Sequence, residues 1–142
     1  MRTPAAVWVR SGGAWHKRAM YVRIGGTWQL AWTPTVPITV SGSGNSNGNL
    51  FRTEPAPGSA TVTAGNYTVT GSGGNSALSY SWVRISGDAI NISSTTAQTV
   101  SWSASVSKGS TLSATFRCTV SDTSGQSAFI DVGVSLDYYT DL

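Results

Sequence analysis

The 142-residue sequence predicts an all-β protein, and three observations carry that prediction. Short runs alternate apolar and polar residues, as half-buried strands do, and clusters of Gly, Ser, Asn and Asp separate them as turns would. No stretch repeats its apolar residues at a helical period over a useful length. Only 11% of residues are charged, against 39% hydrophobic and 10% aromatic, a balance that argues against both a disordered chain and a helix bundle. The length suits one domain of about 100–150 residues with a small appendage, enough to bury a core without disulfides or a metal.

Charge divides the chain. Residues 1–32 hold Arg2, Arg10, Lys17, Arg18 and Arg23 and no acid, whereas residues 33–142 hold four Arg or Lys against six Asp or Glu. Opposite charge and different composition predict two structural units. The segment 1–32 is built on a repeat: Trp8-Val9-Arg10-Ser11-Gly12-Gly13-Ala14-Trp15 and Tyr21-Val22-Arg23-Ile24-Gly25-Gly26-Thr27-Trp28 share aromatic-Val-Arg-x-Gly-Gly-x-Trp. Each copy predicts a β-hairpin, because Gly-Gly supplies the two positive-φ positions of a type I′ turn. With that turn, Arg10 opposes Trp15 and Arg23 opposes Trp28, a placement suited to cation–π stacking. An isolated hairpin is marginal in water, so Trp8, Trp15, Trp28 and Trp32 need a surface to cover them.

Three surfaces come into question: the chain's own second domain, another subunit, or nucleic acid stacked between Arg and Trp. Docking on another subunit, by strand pairing or aromatic anchoring through Trp8, Arg10, Trp15, Tyr21, Arg23 and Trp28, is preferred. Five cations are few for nucleic acid, and the Gly-Gly turns read as structural rather than phosphate-cradling.

Pro34 and Pro37 end the hairpin pattern and place a linker at 33–37. In 38–142, Ile38–Val40 reads as a short strand. The apolar-free tract Ser41–Asn49 reads as a flexible, solvated loop. Strands follow at Ser59–Thr63, Tyr67–Thr70, Ser79–Ser86, Ala89–Ile92, Gln98–Val106, Leu112–Ser121 and Phe129–Leu136, with turns at Gly71–Asn75, Gly87-Asp88, Lys108–Ser110 and Asp122–Gly125. Asp137–Leu142 is left as an aromatic tail. Cys118 is the only cysteine, so no intrachain disulfide forms, and its alternation with Phe116 and Val120 predicts a buried thiol.

Tyr80-Ser81-Trp82-Val83 followed by Phe116-Arg117-Cys118-Thr119-Val120-Ser121-Asp122-Thr123-Ser124-Gly125 resembles the C and F strands of immunoglobulin-like domains. The resemblance implies an antiparallel β-sandwich over 38–142 with a core signature of Val69, Trp82, Phe116 and Cys118. Val69 stands at the strand-B position of the family's first cysteine, so apolar packing replaces the bridge. Phe116 stands where the family often has a tyrosine. The Val-Arg-x-Gly-Gly-x-Trp repeats resemble segments of minor structural proteins of tailed bacteriophages. The two resemblances imply a non-enzymatic virion protein, tail- or fibre-associated or a capsid decoration. It would be multimeric in the particle, contacting capsid, tail or fibre subunits and assembling in the host bacterial cytoplasm.

Catalytic chemistry finds little here. A nucleophile–His–acid site would need His16, which lies beside Lys17 and Arg18, and no familiar metal-ligand spacing occurs. No catalytic residue, metal site or cofactor is therefore expected; Asp88, Asp122 and Asp131 read as turn and capping residues. No membrane span is expected, there being no run of 18 apolar residues, and Met1–Pro4 lacks the apolar stretch of a signal peptide. The sequons at Asn66 and Asn91 are expected to be idle. The alternative function is a host-adhesion module binding a cell-surface glycan through loops such as Ser41–Asn49 and Gly71–Asn75. Nucleic-acid binding by the basic segment ranks third.

Overall fold

The computed structural model describes residues 8–32 and 34–141. The protein is all-β: every regular element among the described residues is a strand, and no helix is long and apolar enough to cross a membrane. The chain divides into two compact units, Met1–Val36 and Pro37–Leu142. Arg2, Val7, Thr33 and Leu142, together with the side chain of Trp32, lie outside the described residues.

The first unit holds two separate antiparallel pairs, β1 (Trp8–Ser11) with β2 (Ala14–Lys17) and β3 (Met20–Ile24) with β4 (Thr27–Trp32). Both turns use positive φ at both glycines, 60° and 85° at Gly12-Gly13, 58° and 86° at Gly25-Gly26, the geometry of the type I′ turn. The register places Arg10 opposite Trp15 and Arg23 opposite Trp28. A bulge between Met20 and Tyr21 shifts the end of the second pair. Residues 8–18 and 21–31 are exposed throughout, so these strands have two faces and no core.

The second unit has β5 (Thr39–Ser41), β6 (Ser46–Arg52), β7 (Ser59–Thr68), β8 (Thr70–Ser72), β9 (Leu78–Gly87), β10 (Asn91–Ile92), β11 (Thr99–Ser107), β12 (Ser110–Asp122) and β13 (Ser127–Thr140). One sheet runs β6-β13-β12-β9, a second runs β10-β11-β7, and β5 pairs with β8. Pairing is antiparallel except between β6 and β13, which run parallel from Ser46 opposite Val134 to Arg52 opposite Thr140.

Alternation decides what is buried. On β12, Ala114, Phe116, Cys118, Val120 and Asp122 point inward and Thr115, Arg117, Thr119 and Ser121 outward. The inward residues of both larger sheets join one core. At its centre Trp102 meets Tyr67, Trp82 and Phe116 with ring centroids 5.7, 5.8 and 5.7 Å away, the spacing of favourable edge-on and tilted aromatic pairs. Trp82 Nε1 donates to Ala97 O (2.9 Å), and Tyr138 Oη donates to Pro57 O (3.0 Å).

Four expectations need correction. The tract Ser41–Asn49 is not a flexible loop throughout: Ser46–Arg52 is β6, with Ser46 and Gly48 buried. Its order comes from β13 and from close approach to β7, for a Cβ on Gly48 would collide with Thr63 O. The end of the chain is not a tail, because β13 continues to Thr140 and Tyr138 is fully buried, leaving Tyr139 outward. The segments Ser59–Thr63 and Tyr67–Thr70 belong to one long strand up to Thr68, whereas Ala89–Ile92 shrinks to Asn91–Ile92. Finally, the stacked cation in the hairpins is Lys17, 5.2 Å from the Trp8 ring centre, not an arginine. The Arg23 guanidinium turns instead to the Gly26 carbonyl, to which its Nε donates (3.2 Å).

Candidate functional site

Strand alternation sorts the hairpin side chains onto faces. Trp8 and Arg10 on β1 stand opposite Lys17 and Trp15 on β2, so all four share one face of the first hairpin. Tyr21 and Arg23 on β3 stand opposite Leu30 and Trp28 on β4 in the same way. The six residues singled out in the sequence therefore fall on equivalent faces of two repeated hairpins, three on each. Trp8, Trp15, Tyr21 and Trp28 are 52, 63, 57 and 67% exposed, and Val9, Val22, Ile24 and Leu30 are also open to solvent. Single exposed apolar residues are ordinary; here eight such residues are concentrated within some 25 residues of chain. Its charge is wholly positive, from Arg10, Lys17, Arg18 and Arg23. His16 hydrogen-bonds the Ser11 carbonyl (3.3 Å) on the opposite face from Trp15.

The four core-signature residues lie together in the second unit. Val69, Trp82, Phe116 and Cys118 are all buried, and Trp82 and Cys118 are register partners on β9 and β12. Burial pushes the Cys118 thiol up to about 11, which keeps it protonated and unreactive. Trp102, too, is core.

The aspartates hold turns and strands. The Asp122 carboxylate accepts from the backbone of Asn75 (2.8 Å), Ser124 (2.9 Å) and Gln126 (3.0 Å) and from the Ser124 hydroxyl (2.7 Å). Those donors, the Asn75 amide first, hold it well below the usual carboxylate range. Asp88 accepts from the Ser113 amide (2.7 Å), and Asp131 forms a two-point pair with Arg117 (2.7 and 2.8 Å). Among the described residues no three His, Cys, Asp or Glu side chains gather in a cluster fit to hold a metal ion.

A further surface was not legible in the sequence. The outward face of the β6-β13-β12-β9 sheet is arranged in cross-strand rows: Phe51–Tyr139, then Asn49–Asp137–Thr111, then Asn47–Ser135–Ser113, then Gly133–Thr115–Ser86. An open depression of about 400 Å³ lies over the last two rows, edged by Asn45 and Gly87 and lined by no ionisable side chain. Phe51 and Tyr139 stand at the other end, 63 and 48% exposed. Four strands contribute to this face, of which only β12 and β13 are consecutive, so no local motif announces it.

Among known proteins, no family model, no curated protein and no solved structure matches this chain.

Proposed function

We propose that the chain is a non-enzymatic structural component of a tailed-bacteriophage virion, tail- or fibre-associated or a capsid decoration. In this role the repeated hairpins dock on another virion protein, and the second unit, an immunoglobulin-like sandwich, is displayed on the particle. The observation that carries the docking role is the coreless, wholly cationic pair of hairpins with four exposed aromatic anchors. The immunoglobulin-like assignment draws support from the two sheets around one core and from Trp82 beside Cys118, with Val69 buried in the same cluster.

The magnitudes favour a docking site that uses both hairpins together. Covering about 100 Å² more at each of four rings is worth about 10 kcal/mol gross, taking about 25 cal/mol per Å². Association costs about 4–15 kcal/mol in lost freedom, so one hairpin, at half that gain, leaves little surplus. The test is incorporation into particles. Removal of residues 1–36, or Trp15→Ser with Trp28→Ser, is expected to leave the second unit folded but absent from purified virions. Undiminished incorporation of either variant refutes the docking role.

A further inference from the structure

The outward face of the four-stranded sheet carries chemistry that hairpin docking does not use. At one end Phe51 and Tyr139 are register neighbours on β6 and β13, both exposed on this face. Toward the other end the surface becomes polar without becoming charged. The Asn47 side-chain amide and the hydroxyls of Ser86, Ser113 and Thr115 have no hydrogen-bond partner among the described residues, and they border the depression of about 400 Å³. That volume lies within the range of small-molecule sites, about 300–1,000 Å³. From Tyr139 to Ser135 is four residues along one strand, about 14 Å, so platform and depression form one elongated track.

The lining selects among ligand classes. An apolar ligand would strip water from these amide and hydroxyl groups and return no hydrogen bonds. An anionic ligand would find no cation in the depression, and the carboxylate of Asp137 stands between it and the rings. That carboxylate is itself occupied, accepting from the hydroxyls of Thr111 and Ser135. A peptide cannot add as a strand along β12 or β13, whose backbones are committed to neighbours on both sides; strand addition at the edges β6 and β9 would lie beside the track and not along it.

The geometry points to a binding site for a neutral oligosaccharide, laid along β13 with one ring stacked on Phe51 and Tyr139 and later units hydrogen-bonded in the depression. A sugar ring offers an apolar C–H face to an aromatic side chain and hydroxyls around its rim, the two chemistries this face presents in sequence. The site lies wholly in the second unit and stands whether or not the hairpins dock.

The test uses the full chain labelled with nitrogen-15. The probes are soluble neutral hexasaccharides of β-1,4-glucose, α-1,4-glucose, β-1,4-N-acetylglucosamine and mannose, with a heparin hexasaccharide as the charged comparison. At least one neutral probe is expected to shift the Asn47 and Asn45 side-chain amide signals and the Gly133 amide saturably, below about 10 mM. Phe51→Ala with Tyr139→Ala should weaken that binding about tenfold or more, while Trp15→Ala with Trp28→Ala leaves it unchanged. Absence of saturable shifts with every neutral probe overturns the proposal, as does binding of heparin alone. Concentration-dependent shifts at the same amides without sugar would assign the face to a second copy of the chain and overturn it equally. The wild-type shifts are decisive even if the double alanine variant does not fold.

Discussion

The two units use the same β alternation and reach opposite results. On β12 every second side chain from Ala114 to Asp122 is buried, because the β10-β11-β7 sheet supplies inward residues to the same core. On β1 to β4 the same alternation yields two exposed faces, and Trp28 remains 67% exposed where Trp102 is 1% exposed. Alternation thus assigns a residue to a face, but burial requires a second layer. In the second unit the chain brings its own layer. In the first no such layer is present, so the aromatic repeat there stays exposed while the aromatic cluster of the second unit forms a core.

Truncations test this contrast most severely. Trp102→Ala removes the ring that touches Tyr67, Trp82 and Phe116 and should cost the second unit about 3–5 kcal/mol, measured by urea unfolding. Trp28→Ala should move the same transition by less than about 0.5 kcal/mol. Equal costs would erase the distinction between the units. Next in size is a glycine pair. Gly48→Ala forces a methyl group against Thr63 O and should cost about 1–3 kcal/mol in the second unit. Gly12→Ala meets open space and only its positive φ opposes it, about 1–2 kcal/mol confined to the hairpin.

Effects confined to the extremes of pH separate the units as well. Asp122 has its folded pKa lowered, so its contribution is present above the ordinary carboxylate value of 3.8 and is lost as the pH falls below it. Asp122→Asn should flatten this acid limb. Cys118 has its folded pKa raised from 9.0 to about 11, so its contribution is present below pH 9 and is lost between there and about 11. Cys118→Ala should remove this alkaline limb. Residues 1–32 hold no carboxylate and no thiol, so neither limb should appear in the hairpin signal.

What the sequence made legible follows from how local each determinant is. The Gly-Gly turns dictate their hairpins within eight residues, and the registers at Arg10–Trp15 and Arg23–Trp28 follow. The alternation around Trp82, Trp102 and Cys118 likewise marks inward positions. β6 was illegible because Ser46-Asn47-Gly48-Asn49 carries no apolar alternation, and its pairing partner lies some 90 residues away. Tyr138 and Tyr139 look alike in sequence, and only the continuation of β13 sends one inward and the other out. The Arg–Trp stacking failed for a different reason: opposition of Cα atoms does not fix a long side chain, and the Gly26 carbonyl competes for Arg23. The sheet-face track draws on β6, β9, β12 and β13, and its residue types are those of any solvated strand.

The parallel run of β6 beside β13 also settles how the second unit carries load. Tension applied through Pro37 and Asp141 first meets the three-residue pairing of β5 with β8. Beyond that it drags β6 backward and β13 forward, against seven register pairs stretched side by side. Those bonds share the force and must yield together. A hairpin pulled by its two ends opens one pair at a time. Under strain the two units therefore differ as a zipper differs from a lap joint.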